Sequence, residues 1–146
     1  MADFTFSLQE RIVLDGTQRG TDYTLVITGA QYVDNRILNI PSGSETTLFS
    51  LSDVNSAGTF VTSSLKYARI SNHSTIIPIN LNVSSSNENL NFSIAAGGTF
   101  LLSTSEITGS MLSGSGDAVF TYDDIVSLKT EPSSSAAKVE YFIVTT

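Results

Sequence analysis

Apolar and polar residues alternate through the segment STIIPINLNVSSS, which covers residues 74 to 86. Ile77, Ile79, Leu81 and Val83 are apolar, whereas the residues between them are proline and asparagine. A period of two predicts a β-strand with one face in a hydrophobic core and the other towards a polar environment. The polar positions carry amides and hydroxyls instead of the charged side chains that are common on a solvent-facing strand.

The same two-residue period recurs along most of the chain, without a helical pattern of useful length. Near the N-terminus, even-numbered apolar residues from Phe4 to Leu14 predict one strand or two joined strands. Turn signals separate the predicted strands, such as the cluster DGTQRG at residues 15 to 20 and the glycine pair at 97 and 98. Many short strands bounded by turn residues indicate an all-β fold.

We predict that residues 1 to 146 form a single domain, an all-β, jelly-roll-like β-sandwich of about eight to ten strands. At most one short helical turn is expected, near residues 105 to 108, because Ser103 and Glu106 have capping-box spacing. The segment from Asp123 onwards fits either a strand or a short helix capped by that residue.

Pro78 restricts where the strand of the opening segment can lie. Proline cannot donate a ladder hydrogen bond and is found mainly on edge strands and at bulges. We therefore expect this strand at a sheet edge, or Pro78 at a bulge. On its polar side, Pro78, Asn80, Asn82 and Ser84 form a hypothesised contact face, for a second sheet edge or a neighbouring subunit. The alternative is an ordinary solvent-exposed face.

Charged residues make up only 14% of the chain, while 23 serines and 17 threonines supply much of its polarity. The net charge is −7, and the seven Lys and Arg residues form no cluster. These features exclude direct binding to nucleic acid or to an anionic membrane, because both depend on grouped basic residues. We find no signal peptide at the start, so we expect a protein that is used without export. The absence of cysteine rules out disulfides and thiolate metal sites.

His73 is the one histidine of the chain, and it follows a predicted strand. We interpret it as a loop residue with a local hydrogen bond, because the sequence shows no partners for a zinc site or a catalytic triad. Asp34 and the acids at 15, 22 and 53 are interpreted as isolated turn residues. We predict no catalytic residue, no cofactor and no metal ligand set, although calcium held by loop oxygens stays open.

Three Asn-x-Ser sequons begin at Asn72, Asn82 and Asn91. We attribute them to chance, because the chain is rich in Asn and Ser and we find no signal peptide. Tyrosines such as Tyr32 and Tyr67 fit either the core or a sugar-stacking site. A carbohydrate-binding module is therefore an alternative function.

The segments LKYARISNHSTIIPINLNV, NFSIAAGGTFLLS and YDDIVSLKTEPSSSAAKVEYFIVT resemble small accessory virion structural proteins of tailed bacteriophages, especially those of marine bacteria. The resemblance covers residues 65 to 146 and consists of β-sandwich segments. It implies a component of the phage particle, located in the virion after synthesis in the host bacterial cytoplasm. It transfers no functional residues, because such proteins act through surfaces.

We therefore predict a non-enzymatic virion structural protein, first of all a capsid decoration (cement) protein or minor head subunit. Its expected partners are other virion proteins, either the major capsid protein or neck and tail proteins, and further copies of itself, with a trimer favoured. A neck, tail or fibre component is the second possibility. Neither nucleic acid nor a membrane is expected as a partner.

Overall fold

The computed structural model describes residues 2 to 51, 59 to 60, 65 to 85, 89 to 103, 108 to 110, 119 to 121 and 125 to 146. Within these ranges the regular elements are all β-strands, which confirms the predicted fold class. The described strands are β1 (Ala2–Gln9), β2 (Ile12–Leu14), β3 (Thr17–Arg19), β4 (Asp22–Ala30), β5 (Tyr32–Ile40), β6 (Thr46–Leu51), β7 (Thr59–Phe60), β8 (Leu65–Asn72), β9 (Ile79–Ser85), β10 (Asn89–Ile94), β11 (Thr99–Leu102), β12 (Thr108–Ser110), β13 (Val119–Thr121), β14 (Ile125–Pro132) and β15 (Ala137–Thr145).

Five of these strands have only two or three residues, and the other ten match the predicted eight to ten. The segment that fitted either a strand or a helix is the strand β14. Residues 104 to 107, where most of the helical turn was expected, lie outside the described residues. Asp123, the cap of the alternative short helix, lies outside them as well.

Two antiparallel sheets form the sandwich. Sheet 1 has the strand order β11-β8-β15-β5, and sheet 2 has the order β10-β9-β14-β6, with the short strand β7 added in parallel to β6. Counted along the chain, the eight strands other than β7 give the orders 6-3-8-1 and 5-4-7-2. Consecutive strands thus alternate between the sheets, except for the hairpin of β9 and β10 within sheet 2, which is the arrangement of a jelly roll.

The hydrophobic core lies between the two sheets. In β9, Ile79, Leu81 and Val83 have 0, 0 and 2% of their surface exposed, as the alternating pattern predicts. In β6 the register against β14 shifts by one residue, so the consecutive residues Leu48 and Phe49 are both buried. An extra residue in one strand of a pair is a β-bulge, which explains this break in the alternation.

Residues 2 to 30 form a long hairpin, here called the arm, in which β1 pairs with β4 and β2 pairs with β3. Its two-residue turn, Asp15 and Gly16, has φ angles of 49° and 75°. Positive φ at both positions matches the type I′ turn that Asp-Gly favours. The predicted turn cluster at residues 15 to 20 was therefore too long, because Thr17 to Arg19 already form β3.

The base of the arm packs on the outer face of sheet 1, the side away from the core. The Phe4 ring lies 4.8 Å from the ring of Tyr67 and 5.5 Å from that of Phe142, measured between centroids. Phe6 contacts Tyr67 as well, at 5.2 Å. Aromatic pairs at these separations add to the gain from apolar burial. A second, smaller hydrophobic cluster thus fixes the arm to the sandwich.

Candidate functional site

The structure places the predicted contact residues at the middle of sheet 2. Asn80, Asn82 and Ser84 lie on the side of β9 that faces away from the core. Asn80 is exposed, and the other two are half-buried. Pro78 is also half-buried but lies just before the first residue of β9. Of the four predicted residues, the three that belong to the strand therefore share one face of the sheet.

The expected position of this strand at a sheet edge was wrong. β9 is paired on both sides, with β10 and with β14. Pro78 is tolerated because the strand begins at the following residue, so the missing N–H has no place in the ladder. The carbonyl of Pro78 still accepts a hydrogen bond, from the backbone N–H of Ser133 at 3.0 Å.

The outer side of sheet 2 carries three cross-strand rows of polar residues, here called the polar face. The central row crosses four strands, because Asn82 pairs with Asn91 and with Lys129, which in turn pairs with Thr47. The flanking rows have the same character and consist of Ser93, Asn80 and Glu131 on one side and Asn89, Ser84, Ser127 and Ser50 on the other. The positive charge of Lys129 offsets the negative charge of Glu131 within the rows.

Hydrogen bonds hold several of these side chains in place. The amide of Asn82 donates to Oδ1 of Asn91 at 2.9 Å, and the hydroxyl of Ser84 donates to Oδ1 of Asn82 at 3.0 Å. Nζ of Lys129 lies 3.1 Å from a carboxylate oxygen of Glu45. A shallow groove of about 360 Å³ lies on this face and is lined by Asn80, Asn82, Asn91, Lys129 and Glu45, among others. The face therefore offers oriented donors and acceptors to a partner surface.

His73 has a partner that the sequence analysis did not find. Its Nε2 lies 2.8 Å from Oε2 of Glu140, and Nη2 of Arg69 donates to Oε1 of the same carboxylate at 2.6 Å. Glu140 belongs to β15 and Arg69 to β8, so the cluster joins the two central strands of sheet 1. The expectation of a local hydrogen bond for the imidazole was wrong.

The cluster lacks the arrangement of a nucleophile and its base. Ser71 and Thr99 lie nearby, but their hydroxyls bond to one another at 3.1 Å, and Ser71 also accepts from Arg69. Among the residues that the structure describes, no hydroxyl is hydrogen-bonded to the His73 imidazole, whereas nucleophilic catalysis needs such a contact. The geometry is that of a salt-bridge network.

The surroundings of Glu140 lower the pKa of its carboxyl group. The hydrogen bond from His73, followed by that from Arg69, holds the pKa of Glu140 below its usual value, and partial burial opposes the shift only in part. Hydrogen bonds to the charged form of a carboxyl group favour ionisation. The carboxylate is therefore stabilised in its charged state by the folded protein.

Asp34 was interpreted as a turn residue, but it lies within β5. One of its carboxylate oxygens accepts from Arg36 at 2.9 Å and the other from the hydroxyl of Tyr141 at 2.8 Å. Burial, together with the negative charge of Asp34, raises the pKa of Tyr141 well above its usual range. The phenol stays protonated and anchors the edge strand to β15.

Asn72 shows why one sequon is unsuited to a glycan. Its side chain is 2% exposed, and its amide donates to the carbonyls of Ile77 at 2.8 Å and Ala95 at 3.1 Å. A buried group with such contacts is a structural residue. The other two sequons also lie within strands, at Asn82 in β9 and Asn91 in β10.

The tyrosines proposed for sugar stacking occupy different environments. Tyr67 is 3% exposed beneath the arm, and burial raises the pKa of its hydroxyl. Tyr32 is 47% exposed at the start of β5. A stacking platform needs an accessible ring, so Tyr67 cannot serve as one.

The solvent-exposed end of the arm was not predicted from the sequence. The even-numbered apolar run from Phe4 to Leu14 indicated a strand with a buried face. Only its first part is covered, because Phe4 and Phe6 pack on sheet 1, whereas Ile12 and Leu14 are 52 and 49% exposed. The sequence does contain an indication of this exposed end, because the apolar run from Phe4 to Leu14 is longer than the part that packs on the sandwich.

Within the described ranges no three acidic or histidine side chains gather in a way that could hold a metal ion. The same part of the chain contains no helix long and apolar enough to cross a membrane. Strand order and surface thus define a jelly-roll sandwich with a broad polar face and a projecting arm. No protein-family model, curated protein or solved structure matches the chain.

Proposed function

We propose that the chain is a non-enzymatic structural protein of a phage particle, a capsid decoration (cement) protein or minor head subunit. In this proposal the polar face binds the surface of the particle. Two considerations support it. The resemblance of residues 65 to 146 to accessory virion proteins indicates this class, and jelly rolls are a fold of viral capsid and lectin domains.

The composition of the polar face is the main support for the proposal. Its three rows contain amides, hydroxyls and two opposite charges, without an apolar side chain. Neutral polar groups lose less solvation energy on burial than ions do. Protein interfaces use about one hydrogen bond per 100–200 Å² of buried surface, a density that this face is equipped to supply. Copies that are joined to one another would bind a repeating lattice more firmly than a single copy does.

The hydrogen bonds within the face make it suitable for a fixed partner. Asn82 is held by Asn91 on one side and by Ser84 on the other. Because these side chains are already ordered, they lose less conformational entropy when a partner binds. The remaining donors and acceptors therefore point in fixed directions, as a regular capsid lattice requires.

Imaging of particles tests the location. Virions of the phage that encodes the chain are compared with virions produced when the gene is deleted, and the purified chain is then added back with a gold label. We expect the missing density, and the label, on the head. Density at the neck or tail would replace the decoration role with the second possibility, and its absence from purified virions would contradict both.

A further inference from the structure

The end of the arm, residues 8 to 23, extends beyond the sandwich, and every residue in it is exposed. The hairpin register is continuous, since Gln9 pairs with Asp22 and Ile12 pairs with Arg19. Because side chains alternate along a strand, Leu8, Ile12 and Leu14 continue the apolar side of the arm that packs on sheet 1. They are 40, 52 and 49% exposed.

A second uncovered apolar site lies on β5, the edge strand of sheet 1. Val33 and Ile37 are 56 and 58% exposed. Val33 pairs with Val144 and Ile37 with Glu140, so both share the outer face of the sheet with the arm-covered residues of β15. The arm of the same copy leaves them open.

The contacts at the base of the arm show its direction. Phe4 contacts Phe142 of β15 and Tyr67 of β8, and Phe6, further along the arm, contacts Tyr67. The arm therefore passes from β15 over β8 towards β11, whereas β5 forms the opposite edge of the sheet. Each copy carries an exposed apolar arm end at one edge and an exposed apolar strand at the other, on the same face.

We propose that the arm end of one copy docks on the outer face of β5 in a second copy of the chain. The apolar residues Leu8, Ile12 and Leu14 of the arm then cover Val33 and Ile37 of the neighbour. Such a contact joins two different surfaces, so it is heterologous and builds a ring where the rotation between copies closes. It also covers exposed apolar side chains on an edge strand, a combination that favours aggregation when it is left open.

The size of the arm end agrees with this partner. A standard protein interface has about 20–30 residues on each side. Because side chains alternate along the arm, about half of residues 8 to 23 face one side, so the arm end forms about a third of such an interface side by itself. In a ring each copy makes the contact twice, once as donor and once as acceptor.

Light scattering after size-exclusion chromatography tests the contact. The arm variant Ile12→Lys/Leu14→Lys and the strand variant Val33→Lys/Ile37→Lys are compared with the wild-type chain and with the control Thr75→Lys/Ile76→Lys. The control residues are exposed in the loop before β9, and neither belongs to the arm end or to β5. Lysine is common on exposed edge strands, and its aliphatic stem can lie beside apolar residues. The lysine variants should therefore keep the fold of the single copy, while the added charges oppose the contact between copies.

We expect an oligomer for the wild type and the control, and a monomer for each of the two test variants. An equal mixture of the arm variant and the strand variant should form a one-to-one heterodimer, because one intact arm then meets one intact strand. A contact between two arms would give no heterodimer, because every such pair would contain an altered arm. Circular dichroism checks folding, and Ile12→Ser/Leu14→Ser with Val33→Ser/Ile37→Ser replace any lysine variant that unfolds.

Three results would overturn the inference: a monomeric wild type, variants that stay oligomeric, or a mixture without heterodimer. A monomeric wild type would mean that the arm is reserved for a different protein. The inference does not rest on the proposed function, because the experiment uses the purified chain alone. Its failure would leave attachment through the polar face untouched, and the reverse also holds.

Discussion

Glu140 Oε2 lies 2.8 Å from Nε2 of His73, although the two residues are 67 positions apart in the chain. Arg69 holds the other carboxylate oxygen from the neighbouring strand. The three side chains connect β15, β8 and the first residue after β8. They link the two central strands of sheet 1 on its outer face.

Replacing Glu140 with Gln is expected to make this stabilisation disappear. The pKa of Glu140 is lowered in the folded state, so its contribution is present above its unfolded value of about 4.5 and is lost as the pH falls through the lower folded value. Hydrogen bonds to charged groups contribute about 1.5–3 kcal/mol each before screening. Urea unfolding should show the variant about 1–2 kcal/mol less stable at pH 7, with the gap narrowing towards pH 3.

Glu45→Gln is the control for this experiment. Glu45 forms a solvent-exposed ion pair with Lys129, and such pairs contribute little to stability. A gap between wild type and Glu140→Gln that is the same at pH 3 and pH 7 would contradict the account of the cluster.

Asn72→Ala is expected to destabilise the sandwich more than the loss of a single hydrogen bond would. The amide donates to the carbonyls of Ile77, Ile94 and Ala95, and Oδ1 accepts from the backbone N–H of Ser74 at 3.0 Å. Removing it takes these partners from the carbonyl of Ile77 and the N–H of Ser74, at about 1–3 kcal/mol for each unsatisfied group, whereas the carbonyl of Ala95 keeps the hydrogen bond from Gly98. We expect a loss of about 2–4 kcal/mol in chemical unfolding. Asn39→Ala, at an exposed position, should change little, and equal stabilities of the two variants would refute the role of Asn72.

Two buried threonines should respond in opposite ways to replacement by valine. The hydroxyl of Thr130 donates to the carbonyl of Asn80 at 3.0 Å, whereas Oγ1 of Thr145 has no hydrogen-bond partner within the described part of the chain. Removing an unsatisfied buried hydroxyl is favourable, while removing a satisfied one leaves its acceptor unpaired. Thermal unfolding should show Thr145→Val unchanged or stabilised by up to about 1 kcal/mol and Thr130→Val destabilised by about 1–2 kcal/mol. The reverse order would contradict these assignments.

Gly20→Ala is expected to loosen the arm end without affecting the core. A Cβ at this position would lie 1.9 Å from the carbonyl oxygen of Glu10, and the φ angle of +142° disfavours any other residue. Amide hydrogen exchange in β2 and β3 should become at least about tenfold faster, because about 1.4 kcal/mol of local strain is enough for that change. Exchange in β8 and β15 should stay as it is.

Gly43→Ala is the control for a general effect of replacing glycine, because Gly43 lies in the loop between β5 and β6, outside the arm. Gly43 also has positive φ, +66°, but its added Cβ would meet no atom within 4 Å. Its arm should exchange like that of the wild type. Unchanged exchange in β2 and β3 of Gly20→Ala would show that the close approach at Glu10 is unimportant.

The sequence predicts those parts of the fold that depend on local patterns. The alternation of Ile79, Leu81 and Val83 gives both the strand and its buried face, because a period of two has one structural solution when one side is apolar. The β-sandwich and the number of long strands follow from repeating this pattern between turn residues. The outward position of Asn80 and Asn82 follows from the same rule.

Other features depend on which strands become neighbours, which a period of two does not specify. β9 lies inside sheet 2 because the jelly-roll order puts β10 and β14 on its two sides. His73 meets Glu140 only because β8 and β15 are paired. The arm end is exposed because the apolar run is longer than the part of the arm that packs on sheet 1. The size of that sheet cannot be read from the run itself.

The proposed role rests on attachment through the polar face, and one binding measurement addresses it directly. In the proposed role the chain binds phage capsids, so capsids that lack the chain are incubated with the purified protein, and the bound fraction is determined by co-sedimentation. Asn80→Lys/Asn82→Lys places two charges at the centre of the face, and Ser133→Lys/Ser135→Lys adds the same charge in an exposed loop. We expect the asparagine variant to bind at least about tenfold more weakly than the serine variant, since losing one or two hydrogen bonds on burial has that effect. Equal binding by wild type and both variants would contradict attachment through this face.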